Sequence, residues 1–498
     1  MKTLWSSGSA PADSSAADSS AYSSANSPAD SSANSPKAPS AESSNKPSAG
    51  SLDALRRAIG EFTAGNDRVL DHRLARWDIL GSIAHVRMLR QTGILEPEEA
   101  DRVLPALQEL FELADAGELR IAEGVEDIHS EIEFRLSETL GETGRRIHAA
   151  RSRNDQVLTD LKLFLRHELL RLTRRTHRLA GILLELSETH KAHLLPGYTH
   201  MQVAMPSSFG MWFASWAECL GEDLWSAHAA MRMVNRNPLG SAAGYGSSFP
   251  IDREATTREL GFAEPVWNAV AAQLGRGRME RSVSNALAAI AFTLGKLSTD
   301  MVLYLSQNFG FIAFPPELTT GSSIMPHKKN PDVFELIRAR CNRLQSLPNE
   351  FALLQANLPS GYHRDFQLFK EHLFPALDEL ESCLDMAIAM LPHVQVRPDL
   401  LADNRYQMLF TVEAVAERVR AGAPFRDAYH AVGQQVASGS FRWDKPLDHT
   451  HQGSLGNLCN PQIAQMVQDV VSAIEAAAGP GHEQDRDQNP AQDPAAGA

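Results

Sequence analysis

Three segments of this chain repeat apolar residues at steps of three, four or seven, each over about thirty residues, which restricts the fold to helices packed on helices. Leu158, Leu161, Leu165, Leu169, Leu172, Leu179, Leu183 and Leu186 share one face. Phe209, Trp212, Trp216, Leu220, Leu224 and Met231 share a second, and Met279, Val283, Leu287, Ile290, Leu294, Leu297, Met301 and Leu305 a third. Thirty residues make a helix roughly 45 Å long. Helices of that length with near-heptad seams are bundle helices, and one bundle rarely needs so much apolar surface, so association with further copies is expected. Asp160, Lys162, Arg166 and Glu168 punctuate the first seam and argue against a lipid environment. No uninterrupted apolar run approaches the ~18 residues of a membrane span. Two more helices are predicted at 332–357 and 370–391, and strand signals are sparse.

Punctuation divides the chain into a mixed, mainly helical region at 51–151, a long-helix bundle at 152–399 and a shorter helical region at 400–478. The flanks read differently. Residues 6–50 repeat ADSSA and ANSP, a Ser/Ala/Asp/Pro tract too poor in apolar surface to offset its ordering entropy, so 1–50 is expected to be disordered, as is the tail 479–498. The tract has no apolar h-region and no arginine, which argues against a secretory or mitochondrial presequence; its acids disfavour a plastid one. The net charge of −14 and the lack of a basic run argue against nucleic-acid binding. Cys219, Cys341, Cys383 and Cys459 lie far apart, with no CxxC pair, and read as reduced thiols of a cytoplasmic protein.

Four polar clusters fall at the ends of the long helices. ARSRNDQ (150–156) precedes the first seam: Ser152, Asn154 or Asp155 could cap that helix, or Arg151 and Arg153 beside free helix N–H groups could bind a carboxylate. GYTHMQ (197–202) sets His200 between Thr199 and Gln202 as an acid/base candidate, against the plainer reading of a solvated loop histidine. GSSIMPHKKNPD (321–332) combines a possible base, Ser322 or Ser323, with Lys328 and Lys329, a pairing suited to removing a proton next to a carboxylate. Helix capping by Asn330, with Pro331 at the first helical position, explains only its end. GYHRDFQLFK (361–370) offers Tyr362, Gln367 and Lys370, which could converge on a polar zwitterion or lie on a wet surface. EDIHSEIE (126–133) has metal-like residue types, but His129 and Glu133 four apart are common on solvated helices, so no metal is expected.

In this order the clusters resemble the aspartase/fumarase superfamily and, within it, the argininosuccinate lyase family. GSSIMPHKKNPD is similar to the superfamily's GSSxMPxKxNP motif, and ARSRNDQ, GYTHMQ, EDIH and LPSGYHRDFQ to the lyase's own blocks; similarity runs from Leu52 to about Val471. MKTLW resembles the family's N-terminus, which would make the low-complexity tract an insertion after Trp5 rather than a cleavable leader. The resemblance implies an all-α fold of three helical domains with a central long-helix bundle, a homotetramer, and active sites assembled from three subunits. It also implies reversible β-elimination of argininosuccinate to arginine and fumarate without a cofactor, with no nucleic acid or membrane as partner.

Carried over by motif, Ser322 exchanges the carbon-bound proton and His200 the proton of the guanidinium leaving group, with Ser322 favoured as base. Lys328 and the loop's N–H groups would stabilise the developing charge, and Glu335 would pair with the catalytic histidine. Asn154, Thr199, Asn330, Tyr362, Gln367 and Lys370 match substrate-contacting positions, with Ser152 and Arg153 at the carboxylates. Departures are Ala150 for a usual Gly, His327 for a frequent Gln, a segment 268–281 lacking the common acidic pattern, and Gly65 where many members place a substrate-contacting Ser. Another lyase of the superfamily (adenylosuccinate lyase, aspartase or fumarase) would keep Ser322, Lys328 and Asn330. The RSRND block and the Tyr362, Gln367, Lys370 set favour a substrate with an arginine-like end. A non-catalytic structural protein related to lens crystallins is a further alternative, opposed by the intact catalytic set.

Overall fold

The computed structural model describes residues 49–479. The chain divides into a unit Met1–Ile59, described only from residue 49, and a unit Gly60–Ala498 that holds everything below. The low-complexity tract and the tail lie outside the described residues, apart from Ala49, Gly50 and Gly479.

In the larger unit α1 (Ala75–Gln91) precedes three long helices, α2 (Arg153–His190), α3 (Phe209–Val234) and α4 (Arg278–Leu305). Around them pack α5 (Asp332–Leu344), α6 (Leu368–Met390) and α7 (Asn460–Ala478). The seams meet in one core. All three are buried along their length, and Leu186, Trp216 and Leu305 are partly buried against that core. The apolar stretch within Ala269–Leu305 is as long and hydrophobic as a membrane span, with mean hydropathy 1.4, but over half of it is buried inside the protein. The described strands form two-stranded pairs, the longest being the antiparallel hairpin β1 (Leu194–Thr199) and β2 (Gln202–Ser208) between α2 and α3.

One local outcome differs from the sequence reading. The helix expected at 332–357 ends at Leu344 and restarts as Leu347–Leu354, with Pro348 in the first turn of the second piece, where its missing N–H costs nothing. The charges that punctuate the first seam, Asp160, Lys162, Arg166 and Glu168, are all buried. Lys162 Nζ donates to the carbonyls of Met233 (2.8 Å) and Val234 (3.4 Å), satisfying groups that the end of α3 leaves without helical partners. Arg166 donates to the carbonyls of Leu260 (3.0 Å) and Gly261 (3.1 Å) in the same way. Burial pushes Lys162 down to about 7, against the attraction of Glu280.

Helix direction sets where the four clusters go. Phe164 meets Phe374 at 4.6 Å and Arg175 pairs with Asp385 at 3.0 Å, so α2 and α6 run parallel. Trp212 donates to Asp300 at 3.0 Å and lies 5.1 Å from Tyr304, so α3 and α4 run antiparallel. Phe314 packs on Phe334 at 5.5 Å while Gly295 lies against Cys341, which runs α5 back along α4. The starts of α2 and α6 therefore share one end of the bundle. The hairpin and the start of α5 share the other.

Candidate active site

At the hairpin end, His200 and Met201 form the two-residue turn between β1 and β2, and both are left-handed, with φ of 53° and 58°. A two-residue hairpin turn matches strand twist when both residues have positive φ, a conformation uncommon for residues other than Gly. The strain falls on the candidate acid, as is common at functional sites. Thr199 pairs with Gln202 across the turn, and both Thr199 and His200 are exposed. Below them Tyr198 sits 5.7 Å from Phe309 and 6.5 Å from Phe311, in an aromatic cluster that also holds Tyr304. Phe311 leads through the short strand Ile312–Ala313 towards the Ser322 loop, so the hairpin and the loop rest on one support.

The loop runs from Thr320 to Asn330, which bridge each other: the Asn330 N–H donates to the Thr320 carbonyl at 2.8 Å. Asn330 is not the helix cap that its position allowed. Its side-chain amide donates to Thr320 Oγ1 (3.3 Å) and the Gly321 carbonyl (3.5 Å), and α5 begins at Asp332 with Pro331 as a cap that has no side-chain hydrogen bond. Ser322 Oγ accepts from the N–H groups of Ile324 (3.3 Å) and Met325 (3.1 Å). Donors aimed at a hydroxyl oxygen favour its alkoxide, which a serine base requires. Ser322 is half-buried, while Lys328 and Glu335 are exposed, Glu335 on the first turn of α5.

At the other end, Ser152 caps α2 with a full capping box: its Oγ accepts from Asn154 N–H at 3.3 Å, and Asp155 Oδ1 accepts from Ser152 N–H at 2.9 Å. Asn154 is half-buried beside it. The Arg153 guanidinium is held by Asp127 (3.1 Å) and Ser130 (2.9 Å) at the start of helix Ile128–Leu140. Of the trio in 361–370, Tyr362 alone is exposed. Gln367 donates to the carbonyls of Thr63 (3.0 Å) and Ala64 (2.9 Å), and Lys370 is buried between Asp71 (2.6 Å) and Asp67 (2.7 Å). Burial alone would depress the Lys370 ammonium, but Asp71 and Asp67 hold it raised and charged. In a single chain, therefore, Gln367 and Lys370 clamp the 63–71 segment, and their donors are already used there.

Arg276, which sequence reasoning passed over, belongs to this end. It is buried, pairs with Glu280 at 3.0 Å and stacks 5.2 Å from the Phe366 ring, yet its Nη1 has no hydrogen-bond partner among the described residues. Its sequence signal is slight, an arginine between Gly275 and Gly277 ahead of an amphipathic helix.

His129 turns inward, away from any pairing with Glu133. Its Nδ1 contacts Asp78 and lies 3.4 Å from Asp160, and Gln156 donates to both Asp78 oxygens at 2.8 and 3.0 Å. The ligand atoms of Asp78, His129 and Asp160 fall within 4.8 Å of one another, a donor set able to hold a cation; here the imidazolium itself supplies the positive charge. Burial would depress His129, but the two carboxylates raise it to about 9. A folded-state value above the ordinary 6.5 gives stability that is fully present below pH 6.5 and lost as pH rises to 9. We expect the difference in unfolding free energy between parent and His129→Gln to shrink by on the order of 2 kcal/mol across that window. Urea titrations at fixed protein concentration measure it, and a pH-independent difference would refute the ion pair.

The site residues thus form two groups: Thr199, His200, Ser322, Lys328, Asn330 and Glu335 at one end, and Ser152, Arg153, Asn154, Tyr362, Gln367 and Lys370 at the other. The 38 residues of α2 separate them, roughly 57 Å of helix. A six-residue strand folded fully back would recover only about 20 Å of that. One chain cannot bring both groups to one small molecule.

Residues 53–346 match the family described as Lyase. The chain is 53% identical to argininosuccinate lyase of Parabacteroides distasonis, over 83% of this chain and 93% of that protein. It is 52% identical to argininosuccinate lyase of Phocaeicola vulgatus, over 84% and 93% respectively. An EDDS lyase variant with bound fumarate shares the fold at a TM-score of 0.66 and 19% identity, covering 86% of this chain and 96% of that one. With that identity over most of the chain and a long-helix bundle of the same fold, the chain belongs to the argininosuccinate lyase family.

Proposed function

We propose that this protein catalyses the reversible β-elimination of argininosuccinate to arginine and fumarate, a step of arginine synthesis. The observation that carries the reading is 53% identity to an argininosuccinate lyase over most of the chain, with Ser322, His200, Lys328 and Asn330 all present. Ser322, helped towards alkoxide by the Ile324 and Met325 N–H groups, takes the proton from the succinyl carbon next to a carboxylate. The electron pair moves into that carboxylate, and the Lys328 ammonium stabilises the resulting charge. The C–N bond then breaks, and His200, paired with Glu335, gives a proton to the departing guanidino nitrogen. Asn154, Ser152, Arg153, Thr199, Asn330 and Tyr362 contact substrate, while Gln367 and Lys370 act through the 63–71 segment they clamp.

The working enzyme in this reading is a homotetramer in the cytoplasm. Its sites combine the Ser322 loop, the His200 hairpin and the Asn154 end from different copies, which accounts for the distance of the Asn154 end from the other two within one chain. Trp225 and Phe292 on α3 and α4 are each 50% exposed, and Leu336 on α5 is 56% exposed, apolar surface that neighbouring subunits would cover. Assembly would also dry the exposed catalytic groups, strengthening every charge interaction among them. All four cysteines are free, as suits a reducing compartment.

Incubating the protein with argininosuccinate and following fumarate absorbance tests the reading, with adenylosuccinate and aspartate as controls. Fumarate should form from argininosuccinate alone. Turnover of a control in its place would overturn the substrate assignment.

A further inference from the structure

The loop from Gly240 to Gly246 is bent by alternating left-handed residues, with φ of 86° at Gly240, 52° at Ala242, 103° at Gly244 and 79° at Gly246. Such alternation turns backbone N–H groups into a concavity that suits an anion. The anion here is the chain's own: Asp155 Oδ2 accepts from Gly240 N–H at 2.9 Å and Ala242 N–H at 2.8 Å. Because Asp155 Oδ1 is engaged in the capping box of α2, the loop is fastened to the helix start that carries Asn154.

This tether presents Tyr245. It is 71% exposed, and its hydroxyl lies 3.5 Å from the point where a Cβ would stand on Gly361. Gly361 has φ of 109°, a conformation that side chains rarely adopt, and it directly precedes Tyr362. Next to Tyr245, Gly244 leaves room for Gln273, whose Cγ would stand 2.8 Å from a Cβ there; Gln273 is a buried side chain whose amide nitrogen and oxygen both lack hydrogen-bond partners among the described residues. Arg276, three residues on, has its orphaned Nη1 and stacks on Phe366, whose ring is 6.0 Å from Tyr362. A phenol, an amide and a guanidinium are thus linked, contact by contact, around the 361–366 turn. Buried polar groups without partners are rare unless something completes them, and the exposed phenol places its hydroxyl beside the Gly361 turn.

We propose that Tyr245 is a substrate-binding residue that sets specificity at the amino-acid end of the arginine moiety, its hydroxyl hydrogen-bonding the ammonium or carboxylate beside Tyr362. The inference rests on the function proposed above. In its favour, this end of the bundle carries no acid/base pair for the chemistry, so a group here selects the part of the substrate that does not react.

The test uses the full chain and Tyr245→Phe, which removes one oxygen and keeps the ring. Argininosuccinate kinetics are measured for both proteins, together with calorimetric binding of arginine and of fumarate. Losing a hydrogen bond to a charged group should raise KM and weaken arginine binding about tenfold, with kcat within about twofold and fumarate affinity unchanged. Unchanged KM and arginine affinity in the variant would overturn the role of Tyr245, as would a fall in kcat at constant KM. A parent protein that neither cleaves argininosuccinate nor binds arginine would instead overturn the functional reading, and this inference with it.

Discussion

Replacing Ser322 by Ala should lower kcat by roughly a thousandfold or more, at the upper range for loss of a positioned base, while the proposed assembly and the substrate affinity persist. The hydroxyl is the one group in the loop that two N–H donors already polarise, at 3.3 and 3.1 Å. Alanine removes that oxygen without disturbing the loop's closure, which rests on the Thr320 and Asn330 backbone bridge rather than on Ser322. The substrate would still meet Lys328, Asn330 and the Asn154 end. Single-turnover fumarate release and a binding titration separate the two effects. Activity within a few-fold of the parent would remove Ser322 from the chemistry.

The second large effect concerns assembly. If the protein assembles as the homotetramer proposed above, Asn154→Ala and His200→Ala should each be nearly inactive when pure, because each defect is present in every site. Mixed tetramers, made by co-expression or by dissociation and reassembly, should regain readily measured activity. In them some sites draw the Asn154 end and the His200 hairpin from undamaged copies. The prediction follows from geometry: the roughly 57 Å of α2 keeps the two positions of one chain from serving one site. Mixed tetramers verified by native mass spectrometry that stay inactive would show that the two groups do not cooperate across subunits.

These results also mark what could be read in advance. The seams were legible because a helical period repeats locally, and each seam residue named above lies in the core or packs on it. A cap among Ser152, Asn154 and Asp155 was legible, since capping needs only residues within one turn, and the structure selects Ser152. Asn330 was misjudged as a cap because its actual partner, Thr320, is ten residues back across a loop. The burial of Lys370 has no local signal, because its carboxylate partners lie some three hundred residues earlier in sequence. Nothing in the neighbourhood of Arg276 or Tyr245 announces a site either. One is marked by an unpartnered nitrogen in the interior, the other by its place over Gly361.

By itself, then, the sequence determined the architecture and the chemical repertoire: long amphipathic helices, with serine, histidine, lysine and asparagine concentrated at their ends. Both follow from short-range rules, side-chain periodicity and local capping. Only the tertiary structure decided which polar groups are buried inside the fold, as with Lys162, Asp160 and Lys370, and which remain exposed, as with Lys328 and His200. It alone also divided the motifs between two distant ends of one bundle. The reason is physical: burial and pairing depend on long-range contacts that no local pattern records, and a rigid helix holds its ends apart whatever chemistry they carry.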